Sequence, residues 1–374
     1  MRRLVTTLCA SGLALASALT GASASPGPGY FASGNVRYLS TIPFDTDSSG
    51  GHVFGHYFFV TSSRYLDVYD ISHPRDPQRI ATMPLPQTPQ FAEEDLDTNG
   101  RIMLVSALQT FDVIDIRDRA NPHLIGTIDG LDPHTESCVL DCSYAYGSEG
   151  QIVDLRRPSH PKLVGDWAKA AQKQAHIKFL NFHDVTEVRP GLVLTASQPI
   201  VLLDARRDPV HPKVLALGST PDGRFIHDVV WPDEMRDPFF LVGGETVGNC
   251  NGTTDGSFMT WSAANWRRTR TFHMIDQFHE HTGNYLDGRP AADQWCAHWF
   301  HANATYHAGG LVTMAWYDHG VRFFRVSHSG KIREIGYFMP AAAQSSNPYW
   351  ITKRLLYVVD YNRGIDLLRY TGKL

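Results

Sequence analysis

Tyr65-Leu66-Asp67-Val68-Tyr69-Asp70 and Thr110-Phe111-Asp112-Val113-Ile114-Asp115 are the same pattern written twice. Apolar positions alternate along each stretch, which ends on an acid. Alternation of period two over six residues is the signature of a β-strand. The unit returns as Gly150-Gln151-Ile152-Val153-Asp154 and Pro199-Ile200-Val201-Leu202-Leu203-Asp204, and more loosely over 256–261, 320–325 and 364–369. That makes seven copies. Marked at the closing acid or its equivalent, positions 70, 115, 154, 204, 261, 325 and 369 lie 45, 39, 50, 57, 64 and 44 residues apart. Repeats of about 40–50 residues built from short strands are the stride of propeller blades, and the two longest gaps then need loop insertions.

Each unit has companions. A second apolar run precedes it, over 57–61, 102–106, 192–196, 311–315 and 355–359, and a Pro-containing turn and a further strand follow it. The turns are His73-Pro74-Arg75-Asp76-Pro77, Asn121-Pro122, His160-Pro161 and His211-Pro212. Proline fixes φ and lacks an N–H, so it suits a turn before an outer strand. The last unit ends at Lys373-Leu374 with no outer strand after it, whereas 36–43 reads like the missing one. The expected fold is therefore all-β: a seven-bladed β-propeller of four-stranded blades, closed by an N-terminal strand that completes the C-terminal blade. No helix-period stretch of useful length stands out in the mature chain.

Phe111-Asp112-Val113-Ile114-Asp115-Ile116 with Asn121-Pro122-His123-Leu124-Ile125-Gly126, and 66–71 with Pro74 and Pro77, resemble the LVIVD-repeat family of secreted and cell-surface β-propellers. The resemblance covers four units strongly and three loosely, where Trp261, Arg325 and Arg369 replace the acid. It implies a fold and an extracellular setting but no settled activity.

The address is written at the N-terminus. Arg2 and Arg3 precede an apolar stretch over 4–19, too short to span a bilayer, and Ala22-Ser23-Ala24 fits a cleavage site. Residues 1–24 read as a signal peptide and 25–374 as a single propeller domain. A buried N-terminal helix fits less well, because Pro26, Gly27, Pro28 and Gly29 follow at once. No later run of 18 apolar residues provides a transmembrane anchor, so a secreted protein is expected. Of five cysteines, Cys9 lies in the signal, leaving four in the mature chain. An even count in an exported chain favours disulfides, Cys138 with Cys142 and Cys250 with Cys296, over a zinc site lacking the usual paired spacings.

Composition narrows function by exclusion. The chain has 374 residues, 43% of them hydrophobic, and a net charge of −4, so no basic excess exists to neutralise phosphates and nucleic acid is excluded as a partner. Nucleophile-elbow, phosphate-loop and dinucleotide motifs are absent. What recurs is histidine at the start of the innermost strand of successive blades: His52, His134, His183, His227 and His298. Two roles fit. Each imidazole could strut one blade to the next through a hydrogen bond, or His134, His183, His227 and His298 could converge on Fe, Cu or Zn in a metal-dependent enzyme such as an oxidoreductase, with neighbouring acids orienting the rings. The acids around Glu93-Glu94-Asp95 read as surface residues.

The insertion-rich fifth and sixth blades are a second candidate. Residues 243–309 hold Glu245, Trp261, Trp266, Trp295, Trp299 and His301 together with the His279-Glu280-His281 run. Loops on a rigid scaffold carry function disproportionately, and aromatic rings with a few polar groups suit a glycan, peptide or protein ligand. On this reading the protein is an extracellular binding or scaffold protein, with Glu245, Trp261, Trp295, Trp299 and His301 at its ligand site. Asn251-Gly252-Thr253 and Asn303-Ala304-Thr305 also fit the N-glycosylation sequence.

Overall fold

A computed structural model describes residues 29–44, 48–85, 94–107, 109–131, 133–245, 256–279, 297–341 and 343–374. The strands form seven antiparallel sheets in chain order, a seven-bladed β-propeller. The first blade runs Ser48–Phe54, Tyr57–Ser62, Tyr65–Asp70, Gln78–Pro84, each strand bonded to the next. The third strand is in every blade the repeat from which the fold was read. Its alternating residues serve two neighbours: Leu66 and Val68 join the core shared with the second blade, while Tyr69 joins the core shared with the seventh.

The acids of the repeat have local work. The closing aspartate caps the turn into the outer strand: Asp70, Asp115, Asp154 and Asp204 each accept the backbone N–H two residues on, at 2.8, 3.0, 3.0 and 3.1 Å. This is the Asx turn that a short carboxylate makes with its own backbone. The central aspartate of two repeats reaches the outer strand instead, where Thr82 donates to Asp67 at 2.5 Å and Thr127 to Asp112 at 2.7 Å.

Ring closure follows the expected route. Val36–Ile42 pairs antiparallel with Gly364–Tyr370, the last strand of the chain, and completes the seventh blade. The sixth blade departs from four strands: Tyr30–Ala32 adds a fifth along Ile332–Pro340. A helix, Trp167–Ala175, also appears after the third blade, against the expectation of no useful helix. The Asp166 side chain accepts from the Lys169 N–H as its N-cap, and Trp167, Ala168 and Ala171 are buried. Nine residues with one short apolar stripe leave little periodicity to read.

Seven apolar clusters fill the seven seams between adjacent blades, including the seam between seventh and first. Among the described residues no helix is long and apolar enough to cross a membrane.

Candidate metal centre

The innermost strand of a blade would ordinarily alternate its side chains between the two flanking seams. It is interrupted at one recurring point. Register slips between Phe182 and Asp184 in the fourth blade and between Ile226 and Asp228 in the fifth. In the sixth, the His298 N–H donates to the Ala315 carbonyl and the Ala315 N–H to the Trp299 carbonyl, so two residues again oppose one. These are β-bulges, which re-aim a side chain. The residues at them are His183, His227 and His298. His134 reaches the same place from the turn before Glu136–Val139, with φ at +38°, a conformation that costs energy for any residue but glycine.

The four imidazoles meet. The Nε2 atoms of His134 and His183 are 3.0 Å apart, the His183 and His227 rings stack at 3.6 Å, and the His227 and His298 rings lie 4.4 Å apart. Two carboxylates face them. Glu94 Oε2 is 3.3 Å from His298 Nε2 and 3.8 Å from His134 Nε2; Glu245 Oε2 is 3.6 Å from His227 Nε2. Each carboxylate is held by its other oxygen, Glu94 by the Tyr361 hydroxyl and Glu245 by the Tyr317 hydroxyl at 2.7 Å. The Glu94 backbone presses against the first blade so closely that a Cβ on Gly50 would sit 1.9 Å from its carbonyl oxygen.

Three of the inner-strand histidines strut one blade to the next through Nδ1. His183 Nδ1 donates to the His227 carbonyl at 3.0 Å, His298 Nδ1 to the Ser346 carbonyl at 2.7 Å and His52 Nδ1 to the Leu96 carbonyl at 2.6 Å, each crossing from one blade to the next. A carbonyl only accepts, so Nδ1 carries the proton. In His183 this turns a bare Nε2 lone pair toward the cluster; in His298 it turns Nε2 toward Glu94 Oε2. A backbone acceptor that fixes tautomer and ring orientation is the usual outer partner of a metal-bound histidine. His227 Nδ1 and Nε2 are buried without a hydrogen-bond partner, whereas His298 Nε2 and Glu94 Oε2 face each other at 3.3 Å. Orphaned polar atoms at this depth cost about 1–3 kcal/mol each.

Electrostatics fits the same reading. Burial, reinforced by the neighbouring imidazoles, pushes His183 and His227 well below the usual histidine value, so both are neutral. Burial also disfavours a charged His298, but the Glu94 and Glu245 carboxylates outweigh it and lift the ring. Glu94 is lowered against its own burial by His298, His134 and His183, whereas burial pushes Glu245 up to about 7. The donor atoms fall into three overlapping triads, each within 4.8 Å: Glu94, His134, His183; Glu94, His227, His298; and His183, His227, Glu245. The first two use every imidazole once and share Glu94.

The residues expected at a loop-face ligand site do not stay together. Glu245 belongs to the histidine cluster, and Trp299 lies against it, 5.0 Å from the His227 ring and 5.8 Å from His183. His301 lines a channel cavity of about 540 Å³ beyond the cluster, with Trp299 and His52. Trp261 is instead core, 1% exposed and stacked on Phe240. Trp295, with Glu280 and His281, lies outside the described residues. Cys138 and Cys142 form the expected disulfide; Cys250 and Cys296 lie outside the described residues, as does the 1–24 segment. Asn303 is buried and bonded to the Lys353 carbonyl and to Thr305, which leaves no room for a glycan. The reading of Glu94 and Asp95 as surface acids is corrected: Glu94 is 4% exposed and Asp95 half-buried, both at the channel. Sequence reasoning also missed Tyr317 and Tyr361, which follow second-strand ends and carry no spacing signal.

Residues 48–81, most of the first blade, match the family model described as the LVIVD repeat. This bears out the resemblance noted in the sequence. No curated protein matches the chain.

Proposed function

We propose that this protein is an exported, metal-dependent enzyme whose centre is the histidine–carboxylate cluster in the propeller channel. The observation that carries the reading is the convergence of His134, His183, His227 and His298 with Glu94 in triads whose donor atoms lie within 4.8 Å, with both His227 nitrogens buried and lacking a hydrogen-bond partner. Imidazoles with a carboxylate suit Fe, Cu or Zn. Bound there, Fe or Cu supplies redox chemistry and Zn a Lewis acid. The chain's own part is positional. The bulges in the fourth, fifth and sixth blades aim three imidazoles, and the carbonyls of His227 and Ser346 fix two tautomers. Tyr361 and Tyr317 leave one oxygen of each carboxylate facing inward.

The test is metal content by inductively coupled plasma mass spectrometry on untagged mature protein from an exporting host. One or two ions of Fe, Cu or Zn per chain, lost in a His183→Ala, His227→Ala double variant, supports the proposal. No metal, even after reconstitution, would overturn it and leave the imidazoles as struts between blades. A binding or scaffold role has its own support in the 540 Å³ cavity beside the cluster, which fits a small ligand better than a flat surface would.

A further inference from the structure

The residue after each cluster histidine opens onto a different chemistry. Asp184 follows His183 and Asp228 follows His227, and both line the 540 Å³ cavity with Asp95 and Asp97 from the second blade. Among the described residues five aspartates line it, Asp233 among them, and neither lysine nor arginine does. His301 does not balance this charge, because burial lowers it to about 4. Unpartnered acceptors point the same way. Asp184 Oδ1 and Asn347 Oδ1 line the cavity, belong to residues 3% exposed, and have no hydrogen-bond partner.

Three features decide what kind of cation such a site takes. The carboxylates of Asp95, Asp97, Asp184 and Asp228 form no group of three within 4.8 Å, the spacing one metal ion would require, although the histidine cluster beside them does. The volume, about 540 Å³, is that of a small-molecule pocket. The walls carry Trp299 and Tyr349, whose faces attract ammonium groups. We infer that this cavity binds an organic cation, an amine in its ammonium form on an apolar body, held by Asp184 and Asp228 against Trp299. Because Trp299 also packs on His183 and His227, the bound amine lies against the metal centre. Its assignment as the substrate class rests on the metal reading; its binding does not.

Isothermal titration calorimetry tests this, on mature protein with and without prior chelation. The probes are 2-phenylethylamine, agmatine and choline, with 2-phenylethanol and 3,3-dimethylbutanol as uncharged counterparts. At least one cation should bind tenfold or more tighter than its uncharged counterpart, and an Asp184→Asn, Asp228→Asn double variant should lose that preference. Equal affinity for charged and uncharged probes, binding of none of the three cations, or displacement of a bound cation by calcium alone would overturn it. The comparison within the unmodified protein stands even where the double variant fails to fold. Amine binding by a chain that never takes up metal would sink the metal reading and keep this one; metal without amine binding would do the reverse.

Discussion

A single hydroxyl decides how each carboxylate of the cluster presents itself. Tyr361 holds one oxygen of Glu94, leaving Oε2 facing His298 and His134. Removing an outer partner of a metal ligand costs roughly 10–100-fold in metal affinity. A Tyr361→Phe variant should therefore lose metal affinity within that range, read by competition against a chromophoric chelator, while its melting temperature shifts by only a few degrees. Unchanged affinity would remove Tyr361 from the site. At Asp360, next to it in sequence, burial and the Asp366 charge raise the carboxyl to about 6. In the unfolded chain it ionises near 3.8. Between those values the unfolded state releases a proton that the folded state keeps, so this residue's contribution falls as pH rises from about 4 to about 6. The loss is of order 3 kcal/mol at about 1.36 kcal/mol per unit. Asp360→Asn removes the titration, so the stability difference, variant minus parent, should grow in the variant's favour from pH 4 to pH 7 in denaturant melts. A pH-independent difference would show that Asp360 ionises normally.

Strands and turns were legible because their residues repeat; the departures from regular strand were not. The third strand could be read from Leu66, Val68, Phe111 and Val113 because both its faces are packed, and alternation records that packing directly. The histidines could be found from recurrence at one position of the blade. Their convergence could not, since it depends on bulges at 182–184, 226–228 and 298–299, and a one-residue slip leaves no mark in a sequence where His-Asp also fits a regular strand. Glu94 was hidden for a different reason: it sits among acids that would ordinarily be solvated, and its burial is imposed by the first blade pressing on its backbone. Trp261 illustrates the opposite error. An aromatic in an insertion-rich region looks like a ligand contact, but it occupies a third-strand position, and third-strand side chains go to seams. Trp261→Ala should cost about 3–5 kcal/mol in denaturant unfolding, as for a large core aromatic, and leave metal content and amine binding unchanged. Lost ligand binding at full stability would return Trp261 to a ligand site.

A ring of seven blades has seven seams, each with its own apolar cluster, and an open array of the same blades would have six. The seventh seam joins Phe58, Val60 and Tyr69 of the first blade to Tyr349, Tyr357 and Val359 of the last. What keeps the last blade fit to make it is the N-terminal strand. Val36–Ile42 bonds the outer edge of Gly364–Tyr370, Val36 and Tyr38 fill the seam between sixth and seventh blades, and Thr41 donates to Asp366 while Arg363 clamps the same carboxylate at 3.0 Å. The strand Tyr30–Ala32 does something smaller, covering the outer edge of a sixth blade that already has four strands. Two truncations separate these roles. A chain beginning at Gly34 keeps the closing strand and should remain a monomer that binds metal, with a small loss of melting temperature from the Tyr30 ring leaving Tyr38 and Phe338. One beginning at Phe44 exposes the edge of Gly364–Tyr370 as a template for pairing and uncovers an apolar seam. It should lose its single cooperative transition and run as dimers or aggregates by light scattering coupled to size exclusion. If the Phe44 chain instead stayed monomeric and melted in one step, the blades would be holding the ring without their closing strand. The metal centre would then survive truncation too, because its ligands come from the second to sixth blades and depend on that ring for their convergence.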